Sequence, residues 1–256
     1  MAIEIFNRFE HKYRLDTETF HKVLKIMDKY MELDSHCENH ALYTIANIYY
    51  DTPDNALIRE SLSKPKYKEK LRLRSYGIPD MDSKVFLEIK KKYCGLVNKR
   101  RTTLELAEAY NFIETKKRPV IKDYMNEQVT KELEYFVNNY ELVPKVYIAY
   151  DRLAYFEKGN DDLRISFDTN IRTRRNDLAL EMGDHGQKLL GDDVWLMEIK
   201  TSLAKPLWLC DMLSELEIRS SSFSKYGTEY NNMLEKQKRG THKQKIYLPK
   251  NLRQAV

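Results

Sequence analysis

The chain has 256 residues, of which 32% are charged, and a net charge of +5 at pH 7. It contains no apolar run near the length of about 18 residues that a transmembrane helix needs, and its first residues, MAIEIFNRFE, lack the apolar core of a signal peptide. Its three cysteines, Cys37, Cys94 and Cys210, have no zinc-binding spacing, so the composition predicts a reduced, cytoplasmic protein.

In the first half of the chain, predicted strands are interspersed with helices. Asp16 is a predicted N-cap, because an aspartate that precedes an apolar stripe with helical spacing is typical of a helix start. A turn at 93–95 joins two predicted strands in an antiparallel hairpin. Strands are predicted over 3–14, 43–51, 67–76, 84–92 and 97–106, and helices over 17–31 and 54–62.

The second half continues this mixture without a linker. Helices are predicted over 107–139 with a break at Pro119, over 206–219 and over 225–236, and strands over 145–157, 163–174 and 194–201. Residues 183–193 are predicted to form a polar loop. Because no change in composition divides the chain, we expect one mostly antiparallel α+β domain over residues 1–235.

Residues 236–256 hold seven lysines and arginines and no acidic residue. Because this charge exceeds the net charge of the whole chain, residues 1–235 are slightly acidic, and any anion site there must depend on a local concentration of cations. The basic segment is predicted to be a flexible tail. Contact of this tail with nucleic acid or an acidic partner is the alternative.

Charged side chains recur at alternate positions of the predicted strands, as in Lys70-Leu-Arg-Leu-Arg74 and Glu198-Ile-Lys200. Residues two apart share one face of a strand, so each stretch places its charges on one side of a sheet. A solvent-exposed sheet face with cross-strand Glu–Lys pairs explains this pattern. On composition alone the solvent-exposed face is the favoured interpretation, and a closed barrel with the charges inside is the alternative.

Two features favour the barrel. The amphipathic helices need an apolar surface to cover, and the outside of the barrel supplies one. The other feature is a set of arginines in predicted strands: Arg72, Arg74, Arg152, Arg164 and Arg172. Buried like charges cost several kcal/mol each without a counter-ion, so such a barrel requires an anionic ligand. Phosphate is the natural ligand, because its oxygens match the fork of a guanidinium group.

Six segments occur in a characteristic order: KLRLRSY at 70–76, FLEIK at 86–90, YDR at 150–152, RISFD at 164–168, EIK at 198–200 and SFSKYG at 222–227. Together they resemble the VTC domain, the polyphosphate polymerase domain of the vacuolar transporter chaperone complex, in the triphosphate tunnel metalloenzyme superfamily. The resemblance runs from about Arg8 to about Tyr230. It implies an α+β fold in which a closed, mostly antiparallel eight-stranded barrel forms a triphosphate tunnel, with helices packed on its outside.

The resemblance implies a metal-dependent phosphotransferase that moves the γ-phosphate of ATP to a growing polyphosphate chain. A triphosphate or short-chain polyphosphate hydrolase of the same fold and a non-catalytic polyphosphate- or nucleotide-binding module are the alternatives. The hydrolase branch opens with Glu-x-Glu-x-Lys, and Arg8 stands here in place of the first Glu, which favours the polymerase. A stand-alone chain of this size is similar to the bacterial members of the family. The resemblance implies nucleoside triphosphate and polyphosphate as binding partners, and no specific nucleic acid.

The resemblance also assigns roles to residues. The tunnel cations expected to bind the triphosphate and the growing chain are Lys12, Arg72, Arg74, Lys90, Arg152 and Lys200. Further substrate contacts are expected from Arg8, Arg164, Ser224 and Lys225.

Glu198 matches the carboxylate that binds Mn²⁺ or Mg²⁺ in the family, and Glu10 and Glu88 are weaker metal candidates on the same faces. Ion pairing inside the tunnel is the other role open to these carboxylates, with Lys90 for Glu88 and Lys200 for Glu198. We favour the ion pair for Glu88 and the metal for Glu198. Such ions keep several waters and need only one or two carboxylates plus phosphate oxygens.

Overall fold

The computed structural model describes residues 5–34, 37, 41–94, 96–202 and 204–246, and the side chains in these ranges except at 5–8, 161 and 240–246. The described residues form strands β1 (Ile5–Leu15), β2 (Met31–Leu33), β3 (Tyr43–Asp51), β4 (Tyr67–Tyr76), β5 (Lys84–Tyr93), β6 (Leu96–Glu105), β7 (Val143–Glu157), β8 (Asn160–Arg174), β9 (Gln187–Lys188) and β10 (Trp195–Thr201). They also form helices α1 (Thr17–Met27), α2 (Ala56–Leu62), α3 (Leu106–Thr115), α4 (Glu127–Asn139), α5 (Leu207–Glu215) and α6 (Lys225–Ile246).

All of these strands belong to one ten-stranded sheet, in the order β2-β7-β3-β4-β5-β6-β1-β10-β8-β9. Every pairing is antiparallel, and β7 also pairs with β8, so that Leu153 lies opposite Phe167. The prediction of a mostly antiparallel α+β fold is confirmed. The eight predicted strands are all present, and the short strands β2 and β9 add to the two ends of this order.

The helices differ from their predicted bounds more than the strands do. The helix predicted over 17–31 ends at Met27, because the chain turns there and enters β2. The break predicted at Pro119 within 107–139 is present, because α3 ends before it and α4 begins after it. Proline has no backbone N–H to donate and interrupts a helix. α5 ends at Glu215, short of the predicted 219, whereas α6 continues to Ile246, beyond the predicted 236. Residues 247–256 lie outside the described residues.

Local signals explain why the elements begin where they do. Asp16 is the N-cap of α1, and its carboxylate accepts a hydrogen bond of 2.7 Å from the amide of Thr19, as predicted. Gly159 turns the chain between β7 and β8 with a φ of +73°, a conformation that glycine adopts without strain. The predicted polar loop at 183–193 contains β9.

The apolar residues that alternate with the charged ones pack beneath helices. Leu71 and Leu73 of β4 are fully buried in a cluster that includes the apolar faces of α3 and α4. Met197 and Ile199 of β10 are fully buried in a second cluster, with α1 and α5. The sheet therefore turns its charged side away from these four helices. No helix among the described residues is both long and apolar enough to cross a membrane.

Helix α6 packs differently, because it contacts the side of the sheet that carries the charges. Its Tyr226 and Tyr230 belong to a third buried cluster, with Ile148 of β7 and Leu196 of β10. Leu196 is two residues from Glu198, so the two side chains share one face of β10. The first turn of α6 is thereby held at one end of the charged surface.

Candidate functional site: a cation-lined cavity

The charged sides of the strands line one cavity of about 400 Å³. Among the predicted site residues it is lined by Glu10, Lys12, Arg72, Arg74, Lys90, Arg152, Arg164, Glu198, Lys200, Ser224 and Lys225. These residues come from six different strands, from α6 and from the residue that precedes it. Alternation along each strand places their side chains on a common face, and the antiparallel pairings bring those faces together.

Two predicted site residues are not among those lining residues. The side chain of Arg8 lies outside the described residues, so its role stays a prediction. Glu88 is fully buried on the cavity-facing side of β5, beneath the cations, where its carboxylate lies 2.6 Å from the Arg72 guanidinium, 3.5 Å from Lys99 and 3.9 Å from Arg74. The expected partner Lys90 instead pairs with Glu10, at 2.6 Å. Glu88 therefore supplies counter-charge to the arginines, while its Oε1 atom accepts no hydrogen bond from the described residues. Its role as a weaker metal candidate stays a prediction.

Burial would raise the pKa of the Glu88 carboxyl, but Arg72, Arg74 and Lys99 outweigh it and hold that pKa well below its ordinary value. Glu88 therefore stays ionised at neutral pH. It fixes the direction of Arg72, whose guanidinium also donates a hydrogen bond of 3.3 Å to the Tyr49 hydroxyl. This buried ion pair orients a cation whose other side faces the cavity.

Glu198 lies among three cations and faces the cavity. Burial would raise the pKa of its carboxyl, but Lys200, Lys12 and Lys90 hold it well below its ordinary value. The Lys200 ammonium is 3.8 Å from the Glu198 carboxylate, which is longer than a hydrogen bond. The Glu198 carboxylate is therefore ionised. Its ion pair with Lys200 is longer than the pair of 2.6 Å between Glu10 and Lys90, so the Glu198 oxygens are more available to another ligand.

A divalent cation would fit beside Glu198. Its cross-strand neighbour is Ser166 of β8, whose hydroxyl is buried and has no hydrogen-bond partner among the described residues. An ionised carboxylate beside an unsatisfied hydroxyl suits a hard cation that prefers oxygen ligands. Within the described part of the chain no three His, Cys, Asp or Glu side chains form a metal-binding group, so phosphate oxygens and water would have to complete the coordination.

Asp168 connects the cavity wall to α6. Its carboxylate accepts hydrogen bonds of 2.6 and 2.9 Å from the Arg152 guanidinium and one of 2.5 Å from the Lys225 ammonium. Burial would raise the pKa of Asp168, but Arg152 and Lys225 lower it far below its ordinary value. Asp168 stands in the RISFD segment, yet its anchoring role was not predicted, because a sequence does not say which cation a carboxylate will meet.

The residues just before α6 close around one end of the cavity. The Ser224 hydroxyl accepts hydrogen bonds from the Gly227 amide at 3.2 Å and from the Lys70 ammonium at 3.3 Å. Lys12 donates a hydrogen bond of 3.0 Å to the Phe223 carbonyl. The structure therefore brings the predicted late loop onto the strand cations.

The cavity also contains residues that were not predicted as site residues. Tyr150 accepts a hydrogen bond of 3.0 Å from the Arg74 guanidinium, and Tyr49 contacts Arg72 in the same way. Other additions to the lining are cations of β4, β5 and β6: Lys68, Lys70, Lys92 and Lys99. The period-two charge pattern identifies these lysines, since they continue the same faces as Arg72 and Lys90. No pattern distinguishes a cavity tyrosine from one that packs in the core.

Three of the cavity lysines have lowered pKa values. Burial is the main cause that lowers the pKa of Lys99 to about 7 and the pKa values of Lys70 and Lys200 to about 8. Lys12 behaves differently, because Glu198 and Glu10 outweigh the effect of burial and raise its pKa. The cavity therefore has more cationic groups than its carboxylates balance, which suits a polyanionic ligand.

Arg172, one of the five arginines that favoured a barrel, lies elsewhere. Between Thr169 and Arg172 the pairing of β8 with β7 shifts by one residue, and Asn170 adopts a φ of +47°. A one-residue bulge moves the following side chains to the opposite face. Arg172 is consequently held outside the cavity, in an ion pair of 3.1 Å with Asp151 and in a second one with Asp184.

Comparison with known proteins is consistent with this architecture. The VTC domain model matches residues 7–234. Vacuolar transporter chaperone complex subunit 4 of Schizosaccharomyces pombe is 27% identical over 165 residues, which cover 57% of this chain and 22% of that protein. The chain thus matches only about a fifth of the length of this curated relative.

Two solved structures share the fold. A Bacillus halodurans protein provisionally assigned as an adenylate cyclase has a TM-score of 0.54 and 13% identity, covering 87% of this chain and 96% of its own. A Hippeastrum protein with a dominant triphosphatase activity has a TM-score of 0.50 and 16% identity, covering 90% and 96%. The family model spans nearly the whole described chain and contains every residue of the cavity. The chain therefore belongs to the VTC domain family.

Proposed function

We propose that this chain is a metal-dependent polyphosphate polymerase that transfers the γ-phosphate of ATP to a polyphosphate chain inside its basic cavity. The single observation that carries the proposal is the excess of oriented cations around one ionised carboxylate, Glu198, in a member of the VTC domain family. The curated relative is a subunit of the vacuolar transporter chaperone complex, which supports this substrate class.

We further propose that eight of the strands act as a closed tunnel. The pairing of β7 with β8 supports this closure, because these two strands stand at opposite ends of the run β7-β3-β4-β5-β6-β1-β10-β8. A closed barrel has no exposed inner edge and lets a linear polyanion contact cations on every side. Residues 1–235 would form this tunnel domain, with α6 extending beyond it.

Phosphoryl transfer requires that the two phosphate groups be held in line and that their negative charge be neutralised. A terminal oxygen of the polyphosphate chain attacks the γ-phosphorus of ATP, the bond from that phosphorus to the β-phosphate oxygen breaks, and ADP leaves with the electron pair. The attacking oxygen is already ionised, so no general base is required. Arg72, Arg74 and Arg152 hold the phosphates in line, each oriented from behind by a buried partner.

The remaining cations neutralise charge on the transferred group. Lys12, Lys90 and Lys200 surround Glu198 and would contact the phosphoryl oxygens. Arg164, Ser224 and Lys225 would bind the rest of the substrate, together with Arg8. Glu198, with Glu10 as the weaker candidate, would hold Mn²⁺ or Mg²⁺, and a bound ion supplies Lewis-acid stabilisation of the phosphate oxygens.

A single incubation tests the activity. Purified chain is mixed with ATP and Mn²⁺, and polyphosphate, ADP and free phosphate are measured. Long chains with an equivalent amount of ADP are expected. Free phosphate without chains would replace the proposal with a triphosphate hydrolase, and neither product would leave a binding module.

The variant Glu198→Gln tests the metal assignment. It removes the carboxylate charge that would hold the ion, so turnover should fall by about 100-fold or more, since metal stabilisation of the transition state is worth several kcal/mol. The matched control is Glu127→Gln, because Glu127 lies on the exposed side of α4 in an ion pair with Lys131. Circular dichroism should show that both variants fold. Unchanged turnover in Glu198→Gln would remove Glu198 from the metal site.

A further inference from the structure

Aromatic rings gather next to two of the cavity arginines. The Tyr76 ring lies 5.6 Å from the Phe86 ring in an edge-to-face arrangement and 6.0 Å from the Tyr43 ring, measured between centroids. The Arg101 guanidinium lies over the Phe86 ring, 4.7 Å from its centroid. Tyr76 keeps 45% of its surface exposed to solvent, so this group, which we call the aromatic cluster, is accessible.

The strand registers place the aromatic cluster on the same face as the phosphate-binding cations. Phe86 is the cross-strand partner of Arg74, and Tyr43 is the partner of Arg152. Tyr76 is two residues beyond Arg74 in β4, so their side chains point to one side. The rings therefore lie on the charged face beyond Arg74 and Arg152, which line the cavity. This end is opposite the one that carries Lys68 and Lys92, near the start of β4 and the end of β5.

We propose that Tyr43, Tyr76, Phe86 and Arg101 form the subsite that holds the nucleobase of the nucleoside triphosphate. The inference rests on the proposed function, which makes ATP a substrate. Every base has a π face that stacks on an aromatic ring, and a guanidinium over the cluster adds a cation–π contact. A polyphosphate chain carries no base, so this subsite would distinguish the phosphate donor from the acceptor.

The placement also gives the nucleotide a direction. A base on Tyr76 puts the triphosphate along Arg74, Arg72 and Lys70, which are spaced two residues apart on one face of β4. These three side chains span roughly 13 Å of strand. The γ-phosphate would then lie toward Lys70 and Lys90, which are cross-strand partners. The polyphosphate acceptor would approach from the end that carries Lys68 and Lys92.

Two ligands separate the base from the phosphates. Binding of tripolyphosphate and of a non-hydrolysable ATP analogue, each with Mn²⁺, is measured by calorimetry for the full chain and for Tyr76→Leu. The variant should bind the ATP analogue about tenfold more weakly, because base stacking is lost, and should bind tripolyphosphate unchanged. Tyr76→Phe keeps a ring and should retain the binding of the analogue.

The matched control is Tyr93→Leu. Tyr93 is also an exposed strand tyrosine, 63% accessible, but it lies at the other end of β5 from Phe86 and on the opposite face. The Tyr93→Leu variant should bind both ligands with the affinities of the unmodified chain. A Tyr76→Leu variant that binds the analogue normally, or that weakens both ligands equally, would overturn the nucleobase subsite alone. Failure of the unmodified chain to bind either ligand would instead overturn the proposed function and the subsite with it.

Discussion

At the level of single residues, the carboxylates of the cavity divide into two kinds. Glu88 and Asp168 are buried beneath arginines, with 0% and 1% of their side chains exposed, and they orient cations of the cavity. Glu198 and Glu10 line the cavity itself. The first kind holds the cavity wall in place, and the second kind is available to a metal or to the substrate.

Asp168→Asn tests the orienting role. The variant keeps the shape of the side chain but leaves Arg152 and Lys225 without their buried counter-charge. The free energy of unfolding should fall by about 3–5 kcal/mol in urea titrations. Saturating tripolyphosphate should reduce this difference, because the bound anion supplies part of the lost charge.

The matched control for this variant is Asp192→Asn. Asp192 pairs with Lys188 on the surface, with 81% of its side chain exposed, so its loss should cost less than about 1 kcal/mol. Equal destabilisation by the two variants, or a loss in Asp168→Asn that tripolyphosphate does not reduce, would contradict the orienting role.

At the level of elements, α6 carries the late loop onto the strands. Its first two turns are fixed by three contacts. Lys225 pairs with Asp168, the Tyr226 hydroxyl donates a hydrogen bond of 2.9 Å to Asp51, and Arg175 forms a bidentate pair with Glu229. The placement of Ser224 therefore depends on contacts with β3, β8 and the chain just after β8. The sequence of α6 alone does not fix where this helix begins, because the residues that hold it are distant in the chain.

Gly227→Ala tests how closely α6 must approach. A Cβ at this position would lie 3.1 Å from a Leu62 methyl carbon of α2 and 3.3 Å from the Ser224 hydroxyl oxygen. Alanine favours a helix over glycine by about 1 kcal/mol, so the stability should change little while Ser224 is displaced. We expect tripolyphosphate to bind several-fold more weakly, as measured by calorimetry.

Gly240→Ala is the comparison, because residue 240 lies in the second half of the same helix. This variant should bind tripolyphosphate normally and gain up to about 1 kcal/mol of stability. The same binding result for Gly227→Ala would show that the close approach of α6 to α2 is not needed to place Ser224.

At the level of the whole molecule, the cavity contains more positively charged side chains than carboxylates. Lys99, Lys70 and Lys200 have pKa values of about 7 to 8 in the folded chain, lowered mainly by burial, whereas an unfolded lysine titrates near 10.4. Between these values the unfolded chain binds more protons than the folded chain. The free energy of unfolding should therefore rise from pH 7 to pH 9.5 as these lysines lose their protons in the fold.

Ligand affinity should change in the opposite direction. Tripolyphosphate binds the protonated lysines, so its dissociation constant, measured by calorimetry from pH 7 to pH 9.5, should increase with pH. In Lys99→Met the part of this dependence near pH 7 should be lost. An affinity that stays constant over this range would contradict the unbalanced charge.

Much of the fold could be predicted because strand periodicity is local. Lys70-Leu-Arg-Leu-Arg74 places its charges and its leucines on opposite faces in any sheet, so the pattern predicted the cavity face and the buried Leu71 and Leu73 together. The helix over 17–31 was overextended, since helical spacing continues past Met27 in the sequence while β2 pairs with β7 in the structure. Pairing with a distant strand overrode local propensity there.

The sequence by itself determined which residues of a regular strand share the charged face, because the side-chain period of a strand does not depend on its neighbours. Only the tertiary structure decided which charges meet. Glu88 pairs with Arg72 rather than Lys90, and a bulge at Asn170 carries Arg172 outside the cavity. Asp168 pairs both with Arg152 and with Lys225, which lies 57 residues further along the chain. These outcomes depend on the register between strands and on the docking of α6, and both are fixed by packing between segments far apart in the chain.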